Sequence, residues 1–234
     1  MPGRHRVRAR LSGAVALMAV LAACAPGGGA GDGFLAGLAR GKAPATTRLA
    51  GGRITVAGPA GFCIDKATRL ATDSGGFVVL GQCASISGNP DDARPPVPAL
   101  LSASVSPLAE ASVAAPAALR AYLESPAGRA SLARSGQAEQ VEILAMQETD
   151  NALVVHVRDA SPSRPAAISD EYWRAMFVLR GALVSLTVTG LTDLPISGAT
   201  GRHLLADFRK AMRAANPERA KSGGGLANFF NRLL

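Results

Sequence analysis

Three thiols and a few imidazoles are the side chains best suited to chemistry here, and their spacing narrows what they can do. The cysteines stand at 24, 63 and 83. None lies in a Cys-x-x-Cys pair, the usual setting of a redox-active thiol. His156 and His203 belong to no His-x-x-x-His or His-Glu-x-x-His spacing, so they give little support for a metal. His156 alternates with Val154 and Arg158, on the strand face opposite Leu153, Val155 and Val157. No Gly-x-Ser-x-Gly elbow occurs. Gly198-Ala199-Thr200-Gly201 precedes a helix start and could cradle an anion. It lacks the Lys of a phosphate-binding loop and the spacing of a dinucleotide loop, so a simple turn and cap is the reading. Asp91-Asp92 and Asp170-Glu171 fall on expected loops and read as solvated surface. These residues lead us to expect no catalytic group, no cofactor and no metal.

Cys24 stands apart because of what precedes it. Arg4, Arg6, Arg8 and Arg10 form a basic start, and Leu11 to Ala23 is apolar or small. That run of about 13 residues is too short to cross a hydrocarbon core as a helix. The layout is that of a secretory signal. Leu21-Ala22-Ala23-Cys24 resembles the lipobox of bacterial lipoproteins. The resemblance implies that Cys24 takes a diacylglyceryl group and becomes the first residue of the mature chain. Several acyl chains would then hold the protein stably on a membrane of the cell envelope, facing the periplasm. Ala25 rather than Asp at the next position leans toward the outer membrane, by resemblance to Gram-negative lipoproteins. Ordinary secretion after cleavage at Ala23 or Ala25 and an uncleaved anchor are the competing readings. Neither calls for a thiol at 24. With Cys24 consumed, Cys63 and Cys83 are left to pair in an oxidising compartment. A loop of about 20 residues closed this way is worth roughly 3 kcal/mol.

Removal of residues 1–23 changes the electrostatics. The chain has 25 Lys and Arg against 17 Asp and Glu, and four of the arginines lie in the signal. The mature charge is therefore +4 rather than +8. No dense basic cluster with interleaved aromatics remains, so we expect no nucleic-acid partner. Aromatic content is 4%, which points to a core of Val, Leu, Ile and Ala. The organisation read from this is a signal at 1–23, a lipidated tether at 24–52, one domain at 53–216 and a tail at 217–234.

Within 53–216 the patterning alternates with strand and helix periods. Ile54–Val56, Gly61–Asp65, Phe77–Cys83 and Ala99–Ser106 read as strands. If the second and third fold back symmetrically about Asp73, Cys63 faces Cys83 directly. Pro116 suits a first helical turn, with Leu119, Tyr122 and Leu123 on one face and a break at Ser125-Pro126. Gln140–Glu148 and Ala152–Arg158 flank Asp150-Asn151, a good hairpin turn. That register sets Met146 against Val155 and Leu144 against Val157. Glu171–Leu179 and Leu183–Thr189 flank Arg180-Gly181-Ala182, which pairs Phe177 with Val184 or Leu186. Ala199–Asn216 reads as a helix with Leu204, Leu205, Phe208 and Met212 inward and Pro217 as its stop. Arg209, Lys210 and Arg213 lie toward its C-terminal end, where the dipole favours cations.

The expectation is an α+β domain: an antiparallel sheet of about six to seven strands, with a mid-chain helix and a C-terminal helix packed on it. The layout resembles the PsbP-like α/β/α sandwich of extrinsic photosystem proteins and small bacterial lipoproteins, on the stretches 54–65 and 172–216. The resemblance implies a non-enzymatic accessory, and none of that family's functional motifs transfers.

Leu226, Phe229, Phe230, Leu233 and Leu234 fall at i, i+3, i+4, i+7 and i+8 beyond Ser222-Gly223-Gly224-Gly225. Nine residues cannot hold a helix alone in water. The stripe docks on its own domain or frays, or else it hooks a membrane or a partner groove. The functional expectation is a lipid-anchored envelope protein that binds or assembles with an envelope partner. The alternatives are a small-molecule or lipid binder using a sheet–helix groove, and an envelope hydrolase.

Overall fold

The computed structural model describes residues 42–108, 114–162 and 167–217. Its strands are β1 (Thr46–Leu49), β2 (Ile54–Ala57), β3 (Phe62–Ala71), β4 (Gly76–Gln82), β5 (Leu100–Pro107), β6 (Val141–Thr149), β7 (Ala152–Asp159), β8 (Ile168–Leu179) and β9 (Ala182–Leu191). The helices are α1 (Cys83–Ser87), α2 (Pro116–Glu124), α3 (Pro126–Leu132) and α4 (Gly198–Ala214). Seven strands form one antiparallel sheet in the order β3-β4-β5-β9-β8-β7-β6, and β1 and β2 form a separate hairpin. The fold is therefore α+β, with the C-terminal helix on the sheet.

The second half of the sheet is a meander because its turns fit its strands. Asp150 and Asn151 take positive φ values of 46° and 56°, as do Arg180 and Gly181 at 49° and 73°. Two successive left-handed residues match the twist of the flanking strands. Arg180-Gly181 is the turn used, so Phe177 pairs with Val184. Met146 pairs with Val155 as read, but Val157 faces Ile143 rather than Leu144. A bulge between Ile143 and Ala145 absorbs Leu144 and shifts the register by one.

The sheet buries both faces. Val154, Ala175, Phe177, Leu186 and Val188 pack under Leu205, Phe208 and Met212 of α4. On the other face Leu153, Val155, Val157, Tyr172 and Met176 pack with Leu119, Leu123 and Leu132 of α2 and α3. Ser125 both ends α2, its N–H bonding the Tyr122 carbonyl, and caps α3 by accepting from the Gly128 N–H. Tyr122, expected inward, is 49% exposed.

The domain begins earlier than its patterning suggested. Thr46–Leu49 lies in the stretch read as tether, yet it pairs with β2 and buries Leu49 and Ala50. Four residues with one buried apolar side chain carry too little periodicity to announce a strand. The far end is closed by Asn216. Its side chain accepts from the Thr55 N–H and donates to the Thr55 carbonyl, tying the end of α4 to β2.

Candidate functional site

Cys63 and Cys83 are joined, with Cα atoms 4.7 Å apart. They are not directly opposite, because Cys63 pairs with Gly81 and Cys83 opens α1 just beyond β4. An irregularity between Asp65 and Leu70 breaks the symmetry about Asp73. The bridge fastens α1 to β3, and the Cys83 N–H bonds the Gly61 carbonyl at 2.9 Å. Gly61 is the hinge of this corner. Its φ is 84°, and a Cβ there would lie 2.6 Å from the carbonyl carbon of Arg94. The glycine lets the 94–96 loop press against the start of β3.

That loop forms one wall of a groove of about 570 Å³ along α4. Phe62, Pro95 and Pro96 stand on the loop side, and Leu204, Ala211 and Ala214 on the helix side. Phe62 and Pro95 are buried, which makes this wall firm. The polar groups gather on the helix rim, where Thr200, His203, Asp207 and Lys210 recur at helical spacing. The groove can hold an apolar body and give hydrogen bonds along one edge. A concave apolar surface with a few polar groups on its edge is the usual form of a ligand pocket.

A second constellation lies near the start of α4, in a cavity of about 230 Å³. The His156 Nε2 is 3.0 Å from the Glu171 Oε2, and the His156 ring stacks on Trp173 at 4.2 Å between centroids. Arg158 donates to Glu171 at 2.7 Å and to Glu142 at 2.6 Å. Hydrogen bonding to Glu171, opposed by desolvation and joined by Glu142, raises Arg158 above its ordinary value. The sheet register makes the cluster. Arg158 faces Glu142 on β6 and Glu171 on β8, and His156 faces Trp173. Cross-strand neighbours of this kind stabilise a sheet. Gly201 of α4 then rests on Trp173, since a Cβ there would sit 2.8 Å from the indole nitrogen. A carboxylate-held imidazole can serve as a base; the His156 ring also lies beside the first turn of α4, where a Cβ on Gly198 would sit 3.8 Å from its Cε1.

Glu171, read both as the first residue of a strand and as half of a solvated loop pair, lies in β8 and is the hub of this cluster. Gly198-Ala199-Thr200-Gly201 is the first turn of α4, capped by Ser197, which accepts from the Thr200 N–H at 3.1 Å. The loop wall of the groove carried no sequence signal, because Pro95 and Pro96 belong to a loop and meet α4 only in three dimensions. Among the described residues no group of three or more His, Cys, Asp or Glu is placed to hold a metal ion. Among them, no helix is long and apolar enough to cross a membrane. Cys24 and the stripe Leu226, Phe229, Phe230 and Leu233 lie outside the described residues.

No family model and no curated protein matches the chain. Two solved structures align with it. One is the Ran-binding protein Mog1p of Saccharomyces cerevisiae, at 13% identity over 75% of this chain and 95% of that one, with a TM-score of 0.41. The other is the extracellular domain of PknH from Mycobacterium tuberculosis, at 12% identity over 62% of this chain and 66% of that one, with a TM-score of 0.29. Scores this low describe a shared outline and carry nothing about activity.

Proposed function

We propose that the chain is a lipid-anchored protein of the cell envelope, held through Cys24, and that its domain acts as a binding or assembly accessory. The observation that carries the binding half is the groove along α4, apolar within and polar on one rim. Its occupant in this reading is an extended or helical segment of an envelope protein. The Thr200, His203, Asp207 and Lys210 rim supports a peptide over a bare acyl chain, since a peptide brings backbone groups that need partners. The support for anchoring is the Leu21-Ala22-Ala23-Cys24 sequence behind its basic and apolar run. The stripe at Leu226, Phe229, Phe230 and Leu233 would add a second contact to the membrane or the same partner.

Two measurements test this. Intact mass from the membrane fraction should fit residues 24–234 plus acyl groups, and an unacylated soluble product would remove the anchor. A photoreactive residue at Ala211, in the groove, should crosslink one defined envelope protein, while the same residue at Ala127, exposed on α3, should not. A lipid adduct at Ala211 would replace the accessory reading with lipid binding, and equal crosslinking at both positions would sink both.

A further inference from the structure

The opposite flank of α4 meets the β6–β7 hairpin across a second cleft, of about 370 Å³. Arg202, His203 and Arg209 enter it from the helix, and Gln147, Thr149 and Asp150 from the hairpin. Arg209 is the unusual member. It is only 7% exposed, although it carries a guanidinium. Its Nη2 donates to the Thr149 and Asp150 carbonyls, each at 3.3 Å. Its Nε is buried without an acceptor. Its ion-pair partner is Asp150, whose Oδ2 is 3.9 Å away on a side chain 80% exposed. A carboxylate so distant and so wet offsets little of a buried charge.

The neighbours make the deficit worse. The guanidiniums of Arg209 and Arg213 both sit over the Phe177 ring, 5.9 and 5.4 Å from its centroid. Arg213 spends a donor on the same Asp150 carbonyl, at 2.8 Å. Burial and then Arg213 lower the Arg209 pKa, and Asp150 only partly opposes them. Arg202 adds a further exposed cation at the cleft. Buried charges are ordinarily paired. Here a buried cation with an orphaned donor lines a cleft shared with another Arg and a His, and one exposed carboxylate stands against them.

We infer that this cleft binds the phosphate group of a phosphate-bearing ligand, with Arg209 and Arg202 as its cationic donors. A tetrahedral oxyanion can accept from helix and hairpin together, and arginine forks match its geometry. A cleft of about 370 Å³ has room for more than the bare ion, so the phosphate belongs to a larger molecule. A soluble phosphate ester and a lipid headgroup share this chemistry. The inference does not depend on the α4 groove or its occupant.

The test uses the full chain in neutral detergent micelles, at fixed ionic strength with chloride as the balancing anion. Inorganic phosphate is titrated in one arm, and phosphatidylglycerol diluted into the same micelles in the other. The readouts are the arginine Nε–H signals in nitrogen-15 NMR and the thermal midpoint. Saturable movement of the Arg209 signal is expected. R202Q, a change at an exposed side chain, should weaken binding about tenfold, the loss of roughly one charge-assisted hydrogen bond, while leaving the ligand-free midpoint in place. R209K should keep the charge, lose the fork and weaken binding as well. A response to inorganic phosphate assigns the site to soluble esters, and a response only in the lipid arm assigns it to headgroups. No saturable response in either arm, or wild-type binding by R202Q, overturns the inference.

Discussion

The two faces of the sheet differ in how completely they satisfy their own groups. Under α2 and α3 the polar atoms close on one another. The Tyr172 hydroxyl donates to the Leu132 carbonyl at 2.7 Å. Asp159, fully buried, accepts from the N–H and the guanidinium of Arg134, both at 3.0 Å, and from the N–H and hydroxyl of Ser161. Under α4 the core is also buried, but its flanks hold a groove, a cleft and an arginine with an unmet donor. A face that satisfies itself contributes stability. A face that leaves apolar surface and charge unmet has capacity for something else.

Mutations should separate along that contrast. The largest effect belongs to the core beneath α4. Phe208 is fully buried, and Phe208→Ala should cost about 4 kcal/mol in denaturant unfolding. A loss under about 1 kcal/mol would mean that α4 is only loosely seated and that its two flanks are not fixed sites. Removal of the disulfide comes next. Cys63→Ser with Cys83→Ser should cost roughly 3 kcal/mol, and hydrogen exchange should quicken first in α1 and at the Arg94 and Val97 amides that flank Pro95 and Pro96. Uniform loosening would separate the bridge from the groove wall.

Asp159→Asn should cost about 2 kcal/mol, because a buried acceptor of four donors becomes partly a donor itself. This residue also makes the closed face sensitive to acid. Burial alone would raise its pKa, but the Ser161 and Arg134 hydrogen bonds and the Arg134 charge together hold it below the ordinary value of 3.8. The folded carboxyl therefore binds its proton less readily than the unfolded one. Its stabilisation is fully present above about pH 4 and fades as pH falls through the folded value. Stability of the wild-type chain should drop faster than that of Asp159→Asn below pH 4. Parallel curves would assign the acid response elsewhere. The smallest expected effect is at the groove. Ala211→Arg should change stability by no more than about 0.5 kcal/mol while abolishing the crosslink formed from a photoreactive residue at Ala214, in the same groove. A large loss of stability would show that the groove wall belongs to the core.

Much of the strand pattern was legible because hairpins write themselves locally. Asp150-Asn151 and Arg180-Gly181 are short-range signals, and alternation tells each strand which face to bury. Legibility failed where one strand carries more residues than its partner. The bulge at Leu144 and the irregularity between Asp65 and Leu70 shift registers that symmetry alone would have set. Nothing in the period of a strand announces where it slips, since a bulge answers to twist and to packing on the far side.

The candidate sites were far less legible. Arg209 follows Leu205 by four residues and precedes Met212 by three, so it flanks the apolar stripe of its helix. It was read as a cation toward the helix C-terminus, placed there by the dipole. Its burial follows from the β6–β7 turn lying across it, a contact between residues about 60 apart in the chain. Glu171 looked like solvated surface at the edge of a strand and became a hub because β7 sets His156 and Arg158 beside it.

By itself the sequence determined the fold class, the C-terminal meander, the helix break at Ser125-Pro126 and the inward face of α4. Each rests on periodicity or turn chemistry within a few residues. Tertiary structure alone decided the register of β3 on β4, the entry of Thr46–Leu49 into the domain, and the groove and cleft on either flank of α4. Those depend on segments distant in the chain arriving at one surface, and no local pattern encodes that meeting.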